Sequence, residues 1–300
     1  MTSTKPGAPP SRPGVAAPHR SFLASIPRPL IAIVAVVAVA VAAAAFLLRP
    51  QAASQASAPF VGGDLHAVAV IDGRRFVSGH EGAGFSDTSG TWTRIGSLDA
   101  KDAMAWTQTS AGLLVGGHEG LWVSFDGGET FDRAPADLSV TDVHALGASG
   151  ETVYLASPAG GLFVSTDAGL SFRFRSQAGS SFMGTMLVDP RDASHVVATD
   201  MAAGVVESRD GGRTWRSLGG PMGAMSVAWD PSDQSRMVAV GMEGAVVSSD
   251  SGADWQPLKM PDGSAAVTID DRGRIVVGAL VGDQAHVYVS SDDGASWIPV

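Results

Sequence analysis

The sequence predicts an all-β fold: a six-bladed β-propeller of four-stranded antiparallel blades, preceded by one N-terminal transmembrane helix. Three observations predict it. An acidic octet recurs six times at a near-fixed interval, each interval holds four short apolar runs, and a twenty-residue uncharged stretch stands ahead of the first repeat. A self-similar period of roughly 40 residues is the mark of a propeller or solenoid and outranks local readings of secondary structure.

Met1 to Arg28 is rich in Pro, Ser and Ala with scattered cations, which predicts a disordered tail. Residues 29–48 (PLIAIVAVVAVAVAAAAFLL) carry no charge and no strong polar group. Twenty helical residues span about 30 Å, the hydrocarbon thickness of a bilayer. Residues 1–50 hold five cations (Lys5, Arg12, Arg20, Arg28, Arg49) and no acid, so the tail is expected in the cytoplasm and the bulk of the chain outside. The run is longer than the apolar region of a cleaved signal, which favours an uncleaved anchor in the cell membrane. Ala56-Ser57-Ala58 resembles a small-residue cleavage site, and cut after Ala58 the protein would be secreted. Residues 49–59 read as a linker and 60–300 as the propeller.

The octets are FSDTSGTW (85–92), SFDGGETF (124–131), STDAGLSF (165–172), SRDGGRTW (208–215), SSDSGADW (248–255) and SSDDGASW (290–297). Their aspartates, Asp87, Asp126, Asp167, Asp210, Asp250 and Asp292, stand 39, 41, 43, 40 and 42 residues apart. Each octet lies between two apolar runs, as a hairpin turn does. The Asp can accept from its own turn's N–H groups, a Gly supplies positive φ, and the closing Trp or Phe can bury a ring against a neighbouring sheet. These six aspartates are therefore read as structural. In the first copy Phe85 stands for the Ser and Ser89 for the Gly.

Between octets the strands parse in fours. In the second repeat they fall near 103–108, 112–116, 121–124 and 130–133, and in the third near 142–147, 152–156, 161–165 and 171–175. Asp189-Pro190-Arg191-Asp192 and Asp230-Pro231-Ser232-Asp233 read as turns between a first and a second strand. No spare strand is evident to complete a blade from the other terminus, so closure should rest on packing of blade one against blade six, or on Phe60 and Val61 pairing with the last blade.

The octets resemble the Asp-box, or bacterial neuraminidase repeat, S-x-D-x-G-x-T-W, matched most closely at Ser208–Trp215. The resemblance covers about residues 62–300 and points to the sialidase-like propeller superfamily, which includes sortilin-type receptors and photosystem II assembly factors. In style it is similar to membrane-anchored bacterial glycosyl-hydrolase-like propellers, whose blades carry segments like Asp142–Gly147 (DVHALG) and Ser208–Trp215. Sialidases of this fold imply a three-arginine clamp, a tyrosine nucleophile with a glutamate base, and an aspartate acid. This chain lacks the Arg-Ile-Pro motif, its two tyrosines (Tyr154, Tyr288) sit in apolar strand runs, and Arg173 and Arg175 fall on an outer fourth strand. Sialidase catalysis is not carried over.

Strand alternation puts the second-to-third turns on the same face as the segments leading into each first strand, opposite the acidic turns. By the resemblance, that first face binds ligands. It carries His66, His80, His118, His144, Asp200 and Met242 as candidate ligand-binding residues. Glu81, Glu119 and Glu243 are the candidate catalytic carboxylates of an alternative glycoside hydrolase, a chemistry that needs a pair of carboxyl groups at a suitable separation. A second alternative is a His/Met/Glu metal-binding propeller, since imidazole with thioether suits copper and imidazole with carboxylate suits zinc; no metal is assigned. The leading expectation is a binding or assembly module for an extracytoplasmic protein or carbohydrate ligand.

Composition closes other classes. No cysteine excludes disulfides and thiolate metal sites. Beyond residue 50 there are 15 basic and 30 acidic residues, a net charge of −15, the wrong sign for nucleic acid. No glycine loop joins a strand to a helix as a phosphate site demands, and no cofactor is implied.

Overall fold

The computed structural model describes residues 55–56, 59–87 and 90–300. The tail 1–28, the apolar run 29–48 and the cleavage-like residue Ala58 lie outside the described residues. Among those described, no helix is long and apolar enough to cross a membrane, and one short 3-10 turn at Gly96–Leu98 interrupts a structure otherwise built of strands.

The strands form successive antiparallel meanders. They are Leu65–Ile71, Arg74–Gly79, Gly82–Ser86 and Trp92–Arg94; Ala105–Gln108, Leu113–Gly117, Gly120–Ser124 and Asp132–Arg133; Ala145–Ser149, Thr152–Ser157, Gly161–Ser165 and Arg173–Ser176; Phe182–Val188, Val196–Asp200, Gly204–Ser208 and Arg216–Gly219; Ala224–Trp229, Met237–Gly241, Gly244–Ser248 and Gln256–Leu258; and Ser264–Ile269, Ile275–Val281, Gln284–Ser290 and Ile298–Pro299. The third and fourth meanders join into one eight-stranded sheet where Ala145 and Leu146 pair in parallel with Gly184 and Thr185. The first gains a fifth strand: Gln55–Ala56, inside the segment expected to be a plain linker, pairs antiparallel with Thr93 and Trp92.

The first strands touch one another in order, and Ser264–Ile269 returns to Leu65–Ile71. Residues of every first strand, among them Val70, Trp106, Ala148, Met186, Val227 and Val267, line one central cavity. With each four-stranded meander counted as one sheet, six apolar clusters of described residues fill the seams between consecutive sheets, including the seam from the last sheet to the first. That closing seam holds Val61, Leu65, Val77, Trp92, Val276 and Val287. Val61 therefore helps close the ring by packing.

Each octet's closing aromatic enters the seam with the preceding sheet. Phe131 packs edge-on against Trp106 and Trp215 against Phe182. Phe172, Trp255 and Trp297 pack against the clusters that hold Leu114, Val205 and Val238 of the preceding sheets, and Trp92 lies in the cluster with the last sheet. Indole N–H groups clasp the seam: Trp255 Nε1 donates to Leu218 O at 2.8 Å and Trp297 Nε1 to Lys259 O at 3.1 Å. Burial of a large ring at each seam outweighs any single turn hydrogen bond, by roughly 1.5–3 kcal/mol against about 1 kcal/mol.

The acidic turns share one hydrogen-bond pattern. In the second sheet, Ser124 Oγ donates to Asp126 Oδ1 (2.7 Å) and accepts from Gly128 N (2.9 Å). Thr130 N and Oγ1 donate to the two Asp126 oxygens at 3.0 and 2.6 Å. Asp167, Asp210 and Asp292 repeat this with Ser165 and Ser171, Ser208 and Thr214, and Ser290 and Ser296. Asp250 keeps Ser248, but Asp254 stands where the hydroxyl would be and donates only its N–H. In the first sheet, pairing aligns Ser86 with the position of Ser124, since Gly79↔Gly82 and Arg75↔Ser86 match Gly117↔Gly120 and Leu113↔Ser124. That copy is one residue shorter; Phe85 is the preceding strand residue and packs in the seam with Phe76. Gly212 (φ +80°) serves twice, because a Cβ there would also overlap Leu162 Cδ2 in the previous sheet.

Gly212→Ala is expected to lower the unfolding free energy by about 1–3 kcal/mol, through strain at positive φ and overpacking, read as the midpoint shift in urea denaturation. The acid limb is a second outcome. Hydroxyls of Ser165 and Ser171 pull Asp167 down to about 2, and Thr214, with Ser208, also holds Asp210 below the usual carboxylate range. A depressed folded-state pKa stabilises above the unfolded value near 4 and loses that stabilisation as pH falls through the folded one. Stability contributed by these turns should hold down to about pH 4 and fall between pH 4 and 2, with a shallower fall in a Ser171→Ala, Thr214→Val double variant.

Candidate functional site

The group that stands out is built from two Gly-His-Glu-Gly turns. Gly79-His80-Glu81-Gly82 and Gly117-His118-Glu119-Gly120 close tight hairpins, with Gly79 paired to Gly82 and Gly117 to Gly120. The chain leading into the next sheet is pinned across each turn: Ala103 N donates to Gly79 O (3.1 Å) and Val143 N to Gly117 O (3.0 Å). A Cβ on Gly117 would overlap Asp102 O in the segment leading into the same sheet, so only glycine lets that segment lie this close to the turn. The same pinning carries Asp102 to His80 and His118, and Asp142 to His118. His66 arrives differently. It lies at a β-bulge between Leu65 and Ala67, which re-aims a side chain out of strand alternation.

The result is a continuous row of four imidazoles with two carboxylates. Ring centroids of His66 and His80 are 6.2 Å apart, His80 and His118 5.9 Å, and His118 and His144 5.1 Å. Asp102, only 2% exposed, lies 3.2 Å from His66 Nε2, 3.7 Å from His80 Nδ1 and 2.8 Å from His118 Nδ1. His144 Nε2 is 3.0 Å from Asp142 Oδ1 and 3.2 Å from His118 Nε2. Both Asp102 oxygens, Asp142 Oδ1 and His66 Nε2 are buried without an aligned hydrogen-bond partner. Burial opposes a charged His66, but Asp102 and then Asp64 outweigh it and raise its pKa. For His144 burial wins and lowers the pKa, with His118 adding and Asp142 opposing. The atoms fall into two trios of metal-ligating type, His66–His80–Asp102 and His118–Asp142–His144.

The four candidate histidines are thus brought together, while other expected residues stand apart. Asp200 accepts from Ser181 Oγ, Ala202 N and Ala203 N, and so caps its own turn. Met242 is 75% exposed in a turn of the fifth sheet, next to exposed Glu243. Glu81 is exposed in the first turn. Glu119 touches the group, its Oε2 accepting from Asp102 N at 3.1 Å. Asp102 shares this face as a segment entering a first strand, while Asp142 is the member that sequence reading missed; the signal available was an acid two residues before His144. Tyr154 is buried, with its hydroxyl donating to Ala193 O, and burial raises its pKa.

No protein-family model and no curated protein matches this chain. Solved structures do. A GH74 xyloglucanase from Xanthomonas campestris aligns with TM-score 0.57 and 17% identity over 84% of this chain and 47% of that one. The WD40 propeller domain of Doa1 aligns with TM-score 0.56 and 14% identity over 81% and 99%. YCF48 from Cyanidioschyzon merolae aligns with TM-score 0.51 and 13% identity over 83% and 88%. The fold is a β-propeller. The chain spans about half of the Xanthomonas enzyme, and at these identities the likeness extends to the fold alone.

In propeller terms, the histidine–aspartate group occupies one mouth of the central cavity, over the first three sheets, where first strands begin and second-to-third turns emerge. The acidic turns lie at the opposite ends of the strands. Gly117→Ala should displace the Asp102 segment and cost about 1–3 kcal/mol. Urea denaturation reads the cost, and histidine ring NMR shifts confined to His66, His80, His118 and His144 read the displacement.

Proposed function

We propose that this protein is a membrane-tethered, extracytoplasmic binding module: a six-bladed Asp-box propeller whose mouth over the first three blades receives an extracytoplasmic ligand. The observation that carries the reading is Asp102. Its carboxylate is almost wholly removed from water, and neither oxygen has an aligned donor. A buried carboxylate whose neighbours are imidazoles without aligned hydrogen bonds is incompletely compensated, and a ligand that supplies donors or a cation at the mouth adds to that compensation. Contrast Glu207, equally buried in the strand Gly204–Ser208, whose Oε2 also lacks an aligned hydrogen bond but which faces the permanent cations Arg209 and Arg216 as well as His195. Tethering is supported by the uncharged run 29–48 behind a purely basic tail. Glycoside hydrolysis is the weaker reading, since it needs two free carboxyl groups flanking the bond and Glu119 is engaged by Asp102 N.

The chain has no cysteine, so single cysteines report cleanly. Glu81→Cys at the mouth and Phe125→Cys on the opposite face, 73% exposed as Phe, are labelled in intact cells with a membrane-impermeant maleimide carrying a photo-reactive group. Both should label without permeabilisation, and illumination should give an adduct from position 81 and none from 125. Labelling only after permeabilisation would overturn the topology, and an adduct only from 125 would overturn the binding face.

A further inference from the structure

We propose that His118, His144 and Asp142 form a preorganised site for one divalent transition-metal ion of the zinc class, with Asp102 as the residue that positions His118. The proposal rests on reading the mouth as a binding site and names the chemistry of what is held there.

The geometry of three atoms carries it. His118 Nε2 and His144 Nε2 are 3.2 Å apart, His144 Nε2 and Asp142 Oδ1 3.0 Å, and His118 Nε2 and Asp142 Oδ1 3.9 Å. A triangle with those sides has a circumradius of about 2.0 Å, so one point sits at that distance from all three atoms, and 2.0–2.2 Å is the length of Zn–N and Zn–O bonds. The three donor atoms already stand at the mutual separations that ligands of one metal have. Two facing imidazole nitrogens at this separation share at most one proton between them, and Asp142 Oδ1 beside them is buried with no aligned donor. A cation resolves both conditions at once.

Asp102 supplies the supporting shell. The Asp102 oxygen 2.8 Å from His118 Nδ1, close but not aligned as a hydrogen bond, favours by its charge a proton on that nitrogen and leaves the Nε2 lone pair for the metal, the arrangement that a carboxylate behind a metal-bound histidine supports. Its burial at 2% exposure lessens the screening of that charge by water. Two imidazoles and one carboxylate are the donor set of open rather than closed zinc sites. The outer side is open, since His118 and Asp142 side chains are 44% and 40% exposed, which leaves a further position for water or a ligand atom. The neighbouring trio His66–His80–Asp102 is less suited, because Asp102 would have to serve both as a ligand there and as the orienter of His118.

The test uses the full-length chain in detergent, titrated with zinc chloride by calorimetry and with cobalt(II) followed by visible absorption. Expected are one zinc per chain and a low-symmetry, four-coordinate cobalt spectrum. Asp142→Asn and His144→Ala should abolish both. Asp102→Asn should weaken zinc by about 10–100-fold while keeping the stoichiometry, the usual effect of losing a residue that orients a metal ligand. His286→Ala, on the sixth sheet, should change nothing. Thermal melting of each variant checks the fold, and Asp142→Asn, the conservative change at a half-exposed side chain, keeps the test decisive where His144→Ala fails to fold. No stoichiometric zinc in the folded wild-type chain, or tight binding that survives Asp142→Asn, would overturn the proposal. Absent zinc with a photo-adduct still formed at position 81 sinks the metal site and leaves the binding reading standing. Bound zinc without the adduct does the reverse.

Discussion

Everything in this molecule depends on a carboxylate held by hydroxyls at the hairpin between a third and a fourth strand. Taken one by one these bonds are modest, because the turns are exposed and each is worth only about 1 kcal/mol or less. Their effect is directional. By fixing the path from Ser124 to Phe131, and from Ser208 to Trp215, they aim an aromatic ring into the seam with the preceding sheet. The seam supplies the larger energy, through area removed from water. The glycine of the turn completes the fit, because the turn must lie against a neighbour: Gly128 faces Phe76, Gly212 faces Leu162 and Gly294 faces Leu258. A local polar motif and a non-local apolar one are therefore a single device repeated around the ring.

At the other ends of the strands the same economy of space makes a polar site. The two His-Glu turns begin with glycines that lie at backbone contact distance from their own sheet's leading segment, Gly79 against Asp64 and Gly117 against Asp102. Their carbonyls accept from Ala103 N and Val143 N of the next leading segments, which sets Asp102 and Asp142 against the histidines. Imidazole is the residue suited to such a place, since it adjusts its charge to a neighbouring carboxylate instead of imposing one. Glu207, matched by guanidinium groups, is closed chemically. Asp102, matched only by imidazoles, is not.

Much of the scaffold was legible beforehand. The octets at near-equal spacing, the four apolar runs between them and the Asp-Pro turns all reappear where expected, with strand limits moved by one to three residues. What escaped was register. Ser86 takes the place assigned to Phe85, because a one-residue deletion in the first copy is invisible without the pairing partner Arg75. The strand at Gln55–Ala56 was missed because two residues carry no periodicity. Of the site, the histidines on one face were legible from strand alternation. Asp200 and Met242 share that face by the same rule but belong to other sheets and other contacts.

The amino-acid sequence by itself determined the period, the four-strand meander of each repeat, the acidic turns and the side of the sheets on which each loop emerges. These are properties of neighbours along the chain, and alternation and turn chemistry encode them locally. Only the tertiary structure decided that His118 Nε2, His144 Nε2 and Asp142 Oδ1 meet around one point, and that Asp102 is buried among three imidazoles. Those facts depend on how closely one sheet's turn lies against the next sheet's leading segment, and on a bulge that turns His66 toward the group. Distances of that kind arise from packing between repeats, which no stretch of sequence states on its own.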